Sequence, residues 1–310
     1  MPSNQTPLGA LPSRFKKQRL LIVGCGDIGV RLARLARPNV RLYALTSSAH
    51  RITELRELGI TPILGDLDSP PTLNRLAGLG GRIIHLAPPA QTNTVDQRTT
   101  NLVRAFSKRH SPVQLVYSST SGVYGDCYGE WVAETRAIKP STDRAKRRVH
   151  AEETIKFFGL ISSCKISVMR VPGIYGLDRP QGTPIERLKR GSPVLNKDSD
   201  VYTNHIHSND LARACWLAIW RGDNQRTYNI SDDSNMLMGD YMDWAADHFG
   251  YPRPPRVSLQ QAKSTLSEMQ LSFMQESRQL INHRMKYELK LRLNFPSIKD
   301  GLTIKDSIES

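Results

Sequence analysis

Glycines 24, 26 and 29 directly follow the apolar run Leu20-Leu21-Ile22-Val23. They directly precede a helical pattern of apolar residues, Val30, Leu32, Ala33, Leu35 and Ala36. This is G-x-G-x-x-G at the passage from a buried strand into a helix, a spacing suited to a dinucleotide pyrophosphate. Gly24 allows the tight turn, Gly26 lets the backbone approach the phosphates, and Gly29 lets the helix pack against the strand. The first N–H groups of the helix and the positive end of its dipole face the anion. Asp27 and Ile28 lie in the same turn and are counted with the cofactor-binding residues; the rival reading is a purely structural turn. About 20 residues past such a turn an acid would bond a ribose 2′-OH. Here the sequence is Thr46-Ser47-Ser48, with Arg51 in reach and Glu54 already one helical turn on. Hydroxyls and a guanidinium suit a 2′-phosphate, so NADP is expected in preference to NAD.

The elements that must hold these groups follow from periodicity. Short apolar runs at 20–23, 40–45, 60–64, 82–86, 113–118 and 165–171 alternate with helical patterns at 29–36, 49–58, 71–79, 94–108 and 144–158. Such β-α repetition predicts an α/β fold, a doubly wound parallel (Rossmann) sheet with helices on both faces and ligands at the carboxyl ends of its strands. After Val171 proline and glycine become dense. Helices are expected at 185–190, 211–220 and 241–249, a strand at 227–231, and a helical, polar, basic end over 258–302. The expected division is a disordered basic tail over 1–18, a dinucleotide-binding domain over 19–172, and a smaller C-terminal substrate lobe over 173–310. Segments in 204–231 are expected to return to the central sheet.

The chain has 310 residues and a formal net charge of +14. Its basic clusters, at the N-terminus, 108–110, 144–150 and 187–190, are not interleaved with aromatics as a nucleic-acid stacking platform would be. The charge therefore points to anionic small molecules, a substrate included, and nucleic acid has only charge in its favour. No apolar run is long enough to span a membrane, and the start has no secretory h-region, so a cytoplasmic protein is expected. Cys25, Cys127, Cys164 and Cys215 are scattered, which suggests neither a disulfide framework nor a metal site. A homo-oligomer is compatible with all of this.

Several strings, in order, resemble the extended short-chain dehydrogenase/reductases of the NAD-dependent epimerase/dehydratase branch. Besides the glycine turn they are Gly65-Asp66-Leu67, Leu115 through Gly125 (LVYSSTSGVYG), Arg170 through Gly176 (RVPGIYG), Asn204 through Leu211 (NHIHSNDL) and Tyr228 through Asp232 (YNISD). The resemblance implies that Asp66 accepts from the adenine amino group and that Leu67 lines the adenine pocket. It places Leu86 and Ala87 along the cofactor and Pro172 and Gly173 beside the nicotinamide. Thr120 takes the position of the catalytic Ser or Thr that bonds the substrate oxygen. His205 and His207 are read as structural, with Asp210 or Ser208 capping the following helix.

One string departs from the family, whose chemistry needs Tyr-x-x-x-Lys on the helix after Thr120. Counting back from Glu152, which stands four residues after the lysine site, gives Arg148 at that site and Arg144 at the tyrosine site. No tyrosine lies between Trp131 and Phe158. Arg148 can supply a fixed charge and ribose hydrogen bonds, but Arg144 cannot act as a base near neutral pH. It could clamp a carboxylate or phosphate; the rival is an ordinary solvated basic helix face. Tyr124 is the first candidate for a replacement acid, Tyr175 a lesser one, and Glu130 and Glu134 are read as loop surface. Two functions stay open: an atypical oxidoreductase or epimerase-like enzyme with a small polar substrate such as a nucleotide-linked sugar, or an NADP-binding sensor or scaffold without turnover. A closed cavity beside the nicotinamide site, lined by polar groups from both lobes, would favour the first, a space filled by side chains the second.

Overall fold

A computed structural model describes residues 17–79, 81–266, 271–272 and 274–303. The expected tail over 1–18 lies, apart from its last two residues, outside them. Seven strands form one parallel sheet: β1 (Gln18–Val23), β2 (Val40–Thr46), β3 (Thr61–Leu64), β4 (Arg82–His85), β5 (Gln114–Thr120), β7 (Lys165–Val171) and β12 (Arg226–Asn229), in the order β12-β7-β5-β4-β1-β2-β3. Between β1 and β4 the winding reverses, which opens a crevice at the carboxyl ends of the strands.

Alternation along the strands builds a core on each face. Leu20 and Ile22 of β1 face one cluster with Leu32 of α1 (Asp27–Arg34) and Leu211, Cys215 and Ile219 of α6 (Ser208–Arg221). Leu21 and Val23 face the other, with Leu102 and Phe106 of α3 (Gln97–Phe106) and Ala151, Ile155 and Phe158 of α4 (Asp143–Ile161). A third cluster lies in the C-terminal part of the chain, where Leu188 of α5 (Ile185–Lys189) meets Tyr241, Met242 and Ala245 of α7 (Met238–Phe249).

The register of α4 is fixed by charge as well as by apolar packing. Buried Glu152 accepts from Ser119 Oγ at 2.6 Å and from the Arg170 guanidinium at 2.8 and 3.2 Å, tying the helix to β5 and β7. Burial opposes the charge on Arg170, but Glu152 and the Tyr124 face beside it leave its pKa above the ordinary value.

Three regions differ from the pattern expected of them. The helix expected from 94 begins at Gln97, because the Asp96 side chain accepts from the N–H groups of Arg98 and Thr99 and caps it there. The stretch 258–302 is no continuous helix: its described elements are α8 (Leu259–Thr265), a strand at Gln279–Leu280 and short helices at His283–Tyr287 and Ile298–Leu302. Asn282, Asn294 and Pro296 lie among the breaks, and no wide apolar stripe supports a long helix there. In 204–231, β12 joins the main sheet, whereas β11 (His205–His207) pairs with β8 (Gly173–Tyr175) in a separate ribbon. The α6 cap is also a correction. His207 Nδ1 accepts from Asn209 N at 3.2 Å, while the Asp210 carboxylate accepts from the backbone N–H groups of Asn294 and Phe295 and pairs with Arg213.

Candidate active site

Two neighbouring cavities open where the strands end. The first, of about 360 Å³, lies over the glycine turn and is walled by Gly24, Gly26, Thr46, Ser47, Arg51, Asp66, Leu67, Leu86 and Ala87, among others. Gly24 has φ +87°, and a Cβ there would stand 2.5 Å from the backbone N of Ala87. The turn therefore excludes a side chain on conformation and on space. At Gly26 a Cβ would have no atom within 4 Å, so the chain leaves room directly above the backbone at the start of α1. At Gly29 a Cβ would stand 3.1 Å from Cys25 Sγ and 3.3 Å from Ile22, the contact that seats the helix on the strand.

Asp27 and Ile28 are placed differently from the rest of the turn. The Asp27 carboxylate turns to Arg31 at 2.8 Å and Arg179 at 3.7 Å, and Ile28, partly buried, packs against the core. Neither side chain lines the cavity; what they offer an anion is their backbone N–H groups in the first turn of α1. Arg51 donates to the Cys25 carbonyl and to both Glu54 oxygens at 2.9 and 3.0 Å, which holds its guanidinium at the cavity wall. Burial pushes the Cys25 thiol up to about 11, leaving it an inert wall group.

The second cavity, of about 1220 Å³, shares Pro88 and Arg98 with the first. Thr120, Arg144, Arg148, Pro172 and Gly173 all line it. Thr120 sits at the end of β5, where its Oγ1 accepts from Gly122 N at 3.2 Å. Arg148 donates to the Ser118 carbonyl at 2.7 Å and to the Tyr117 hydroxyl at 3.0 Å. It is thus locked against β5, one turn before the buried Glu152. Arg144 stands one turn earlier, exposed in the cavity wall.

Tyr124 does not join this group, a correction to its place as replacement acid. It is 1% exposed, its hydroxyl donates to Asn229 Oδ1 at 2.7 Å, and its ring packs under Arg170. Its aromatic bulk serves the core, and burial raises its pKa further. Tyr175 is also buried, with its hydroxyl on the Ser297 carbonyl at 3.0 Å. Glu134 is not loop surface: it is buried and accepts from Asn229 N at 3.0 Å. Glu130 is exposed and pairs with Arg136 at 2.7 Å.

The cavity also gathers residues that periodicity alone did not single out. Arg98, Arg187, Arg190, Arg278 and Tyr202 reach it from α3, from α5 and its end, and from C-terminal loops and ribbons. In the sequence Arg187 and Arg190 are marked only as a basic cluster; their spacing of three, at a short helix and its C-cap, is the available signal for a shared face. His205 lines the cavity too, with Nε2 3.3 Å from Thr203 Oγ1, and burial pulls it down to about 4, so it is neutral near pH 7.

With fold and cavities in place, the chain is assigned by comparison. It belongs to the NAD-dependent epimerase/dehydratase family, whose sequence pattern matches residues 21–231. No curated protein matches the sequence. Among solved structures, a functionally unknown conserved protein from Silicibacter pomeroyi is 27% identical with a TM-score of 0.76, covering 92% of this chain and 96% of that one. UDP-glucose 4-epimerase from Thermotoga maritima, solved with UDP-glucose, is 18% identical with a TM-score of 0.73, covering 92% and 96%. DesIV, a dTDP-glucose 4,6-dehydratase from Streptomyces venezuelae solved with NAD and TYD bound, is 19% identical with a TM-score of 0.73, covering 92% and 94%. The last two share the fold.

Proposed function

We propose that the chain is an atypical nicotinamide-dinucleotide enzyme of the epimerase/dehydratase type. The dinucleotide lies in the first cavity and a small polar substrate, of the nucleotide-sugar kind, in the second. The observation that carries this reading is the shared wall at Pro88 and Arg98: a ligand in the first cavity can extend to Thr120, Pro172 and Gly173 in the second. Room above Gly26 and the close approach at Gly24 fit a pyrophosphate against the backbone. Fold neighbours solved with UDP-glucose, or with NAD and TYD, take ligands of these kinds.

Bound there, the nicotinamide supplies hydride exchange. The chain's own residues bind and orient. The first N–H groups of α1 hold the phosphates, Asp66 and Leu67 receive the adenine, and Leu86 and Ala87 flank the dinucleotide. Arg148 supplies fixed charge beside the ribose, Pro172 and Gly173 border the ring, and Thr120 bonds the substrate oxygen. Arg144 holds an anionic group but moves no proton. General acid–base catalysis contributes typically ~10²–10⁴-fold, so turnover without a tyrosine on α4 is slow. Thr46, Ser47 and Arg51 favour NADP over NAD. Calorimetric titration with NADPH and NADH tests the cofactor half: tighter NADPH binding is expected, and equal or tighter NADH binding overturns the preference.

A second reading, a cofactor-binding sensor or scaffold without turnover, draws on the burial of Tyr117 and Tyr124, neither of which lines the substrate cavity. The second cavity is not closed, but side chains do not fill it and polar groups from both halves of the chain line it, which supports the enzyme. NADPH oxidation over a panel of carbonyl compounds separates the two.

A further inference from the structure

The second cavity is walled by seven arginines and two carboxylates, Asp68 and Glu276, with no lysine. Both carboxylates are already committed: Asp68 takes Arg98 through two bonds at 2.6 and 2.9 Å, and Glu276 takes Arg278 at 2.9 Å. On α4, Arg147 instead donates to the Asn93 carbonyl at 2.5 Å, and Arg148 to Ser118 and Tyr117. On α5, Arg187 has Met238 Sδ at 3.6 Å, and Arg190, which ends the helix, donates to the Glu186 carbonyl at 3.1 Å. The Glu186 carboxylate pairs with Lys189. Among the described residues, therefore, no ion pair neutralises any of these four guanidiniums. Arg187 is half-buried, and burial lowers its pKa, a sign of a charge short of compensation. The two groups sit on different layers: α4 packs on the sheet, whereas α5 packs on α7 in the substrate lobe.

From this arrangement, and resting on the assignment of this cavity to the substrate, we propose that the preferred ligand carries two separate anionic groups, one for the α4 arginines and one for the α5 arginines. The chemistry is that of a phosphorylated or nucleoside-diphosphate-linked sugar with a carboxylate or second phosphate at its other end. A ligand with one anion would leave one set of guanidiniums uncompensated in a space it has partly emptied of water. Planar guanidiniums match carboxylate and phosphate oxygens through paired bonds. The reacting end, beside Arg144, would then be anionic too.

Calorimetry on the protein saturated with nicotinamide dinucleotide tests this with matched probes. These are 6-phosphogluconate against glucose 6-phosphate and gluconate, and UDP-glucuronate against UDP-glucose. At least one doubly charged probe should bind tenfold or more tightly than its matched partners. Arg187→Ala and Arg147→Ala should each bring it down to its partner's level, while Arg187→Lys retains part of the gain. Thermal unfolding and dinucleotide affinity should not change in these variants, since Arg187 and Arg147 hold only a thioether and one loop carbonyl. Equal affinities within both sets, no binding of any probe, or a preference that survives both alanine variants overturns the inference. Loss of dinucleotide binding in the wild type would instead overturn the reading of the first cavity.

Discussion

The two cavities are built on opposite principles. The one over the glycine turn is shaped by backbone: a positive φ at Gly24, open space at Gly26 and the start of a helix. The one beside α4 is shaped by long charged side chains that reach in from two lobes. Backbone sites depend on a few residues at fixed spacing and tolerate almost no substitution there. Side-chain sites can change their chemistry by exchanging residues on an unchanged frame, and here Arg144 and Arg148 are what α4 presents to the cavity. The frame itself is kept by Glu152 and Arg170, which set the helix whatever its exposed face displays.

The sharpest way to break this contrast is Gly26→Val. The side chain would enter open space, so the variant should fold with a near-wild-type melting temperature. It would nevertheless occupy the volume proposed for the pyrophosphate, and binding of either dinucleotide should fall below detection by calorimetry, a loss of roughly a hundredfold or more. Retained binding would show that the turn is structural only.

Glu152→Ala probes the frame on the other side of the comparison. It leaves the Arg170 guanidinium, 4% exposed, without its carboxylate. Breaking such a buried pair costs about 3–5 kcal/mol, read as a lower midpoint in urea denaturation. A loss under about 1 kcal/mol would mean that apolar contacts of Ala151, Ile155 and Phe158 alone hold α4, and that the placing of Arg144 and Arg148 does not depend on the pair.

Asp232 sharpens the comparison from behind the second cavity, where its N–H donates to the carbonyl of cavity-lining His205 at 2.7 Å. Burial raises its carboxyl from 3.8 to about 7. The native state thus keeps a proton that the unfolded chain releases, and this group's contribution to stability declines as pH rises through that window. Asp232→Asn cannot ionise. Its stability relative to wild type should rise between pH 4 and pH 7 and then level off. A difference independent of pH would show that Asp232 ionises normally.

The parallel sheet was legible because its strands are short apolar runs between amphipathic helices, and the glycine turn because backbone demands write themselves as glycine at fixed spacing. Arg144 and Arg148 were reachable by counting from Glu152, since a helix converts spacing into a face. Arg98, Arg187 and Arg278 were not: they meet across the cavity only through tertiary packing, and no period relates residues so far apart in the chain. The C-terminal stretch misled because its polar, basic composition favours helix locally, while its backbone is bonded to distant partners such as Asp210 and Asn204.

Tyr124→Phe carries the smallest expected effect and decides whether Tyr124 serves the second cavity as an acid. Position in the sequence favoured it, four residues beyond Thr120. The fold turns its hydroxyl inward to Asn229 Oδ1, and Asn229 is itself bound to the Val132 and Ile281 carbonyls through its amide nitrogen. Removing the hydroxyl leaves the Asn229 oxygen short of a donor in a buried site, a cost of about 1–3 kcal/mol in stability. It removes nothing from the cavity wall. NADPH oxidation by the variant, measured with whichever carbonyl substrate the wild type turns over, should therefore be unchanged per folded molecule. A fall of a hundredfold with stability intact would place the Tyr124 hydroxyl at the reacting oxygen, and would require the 3-10 turn over Ser121–Tyr124 to open toward the cavity. An unchanged rate leaves the chemistry to groups that line the cavity, Thr120 and Tyr202 among them.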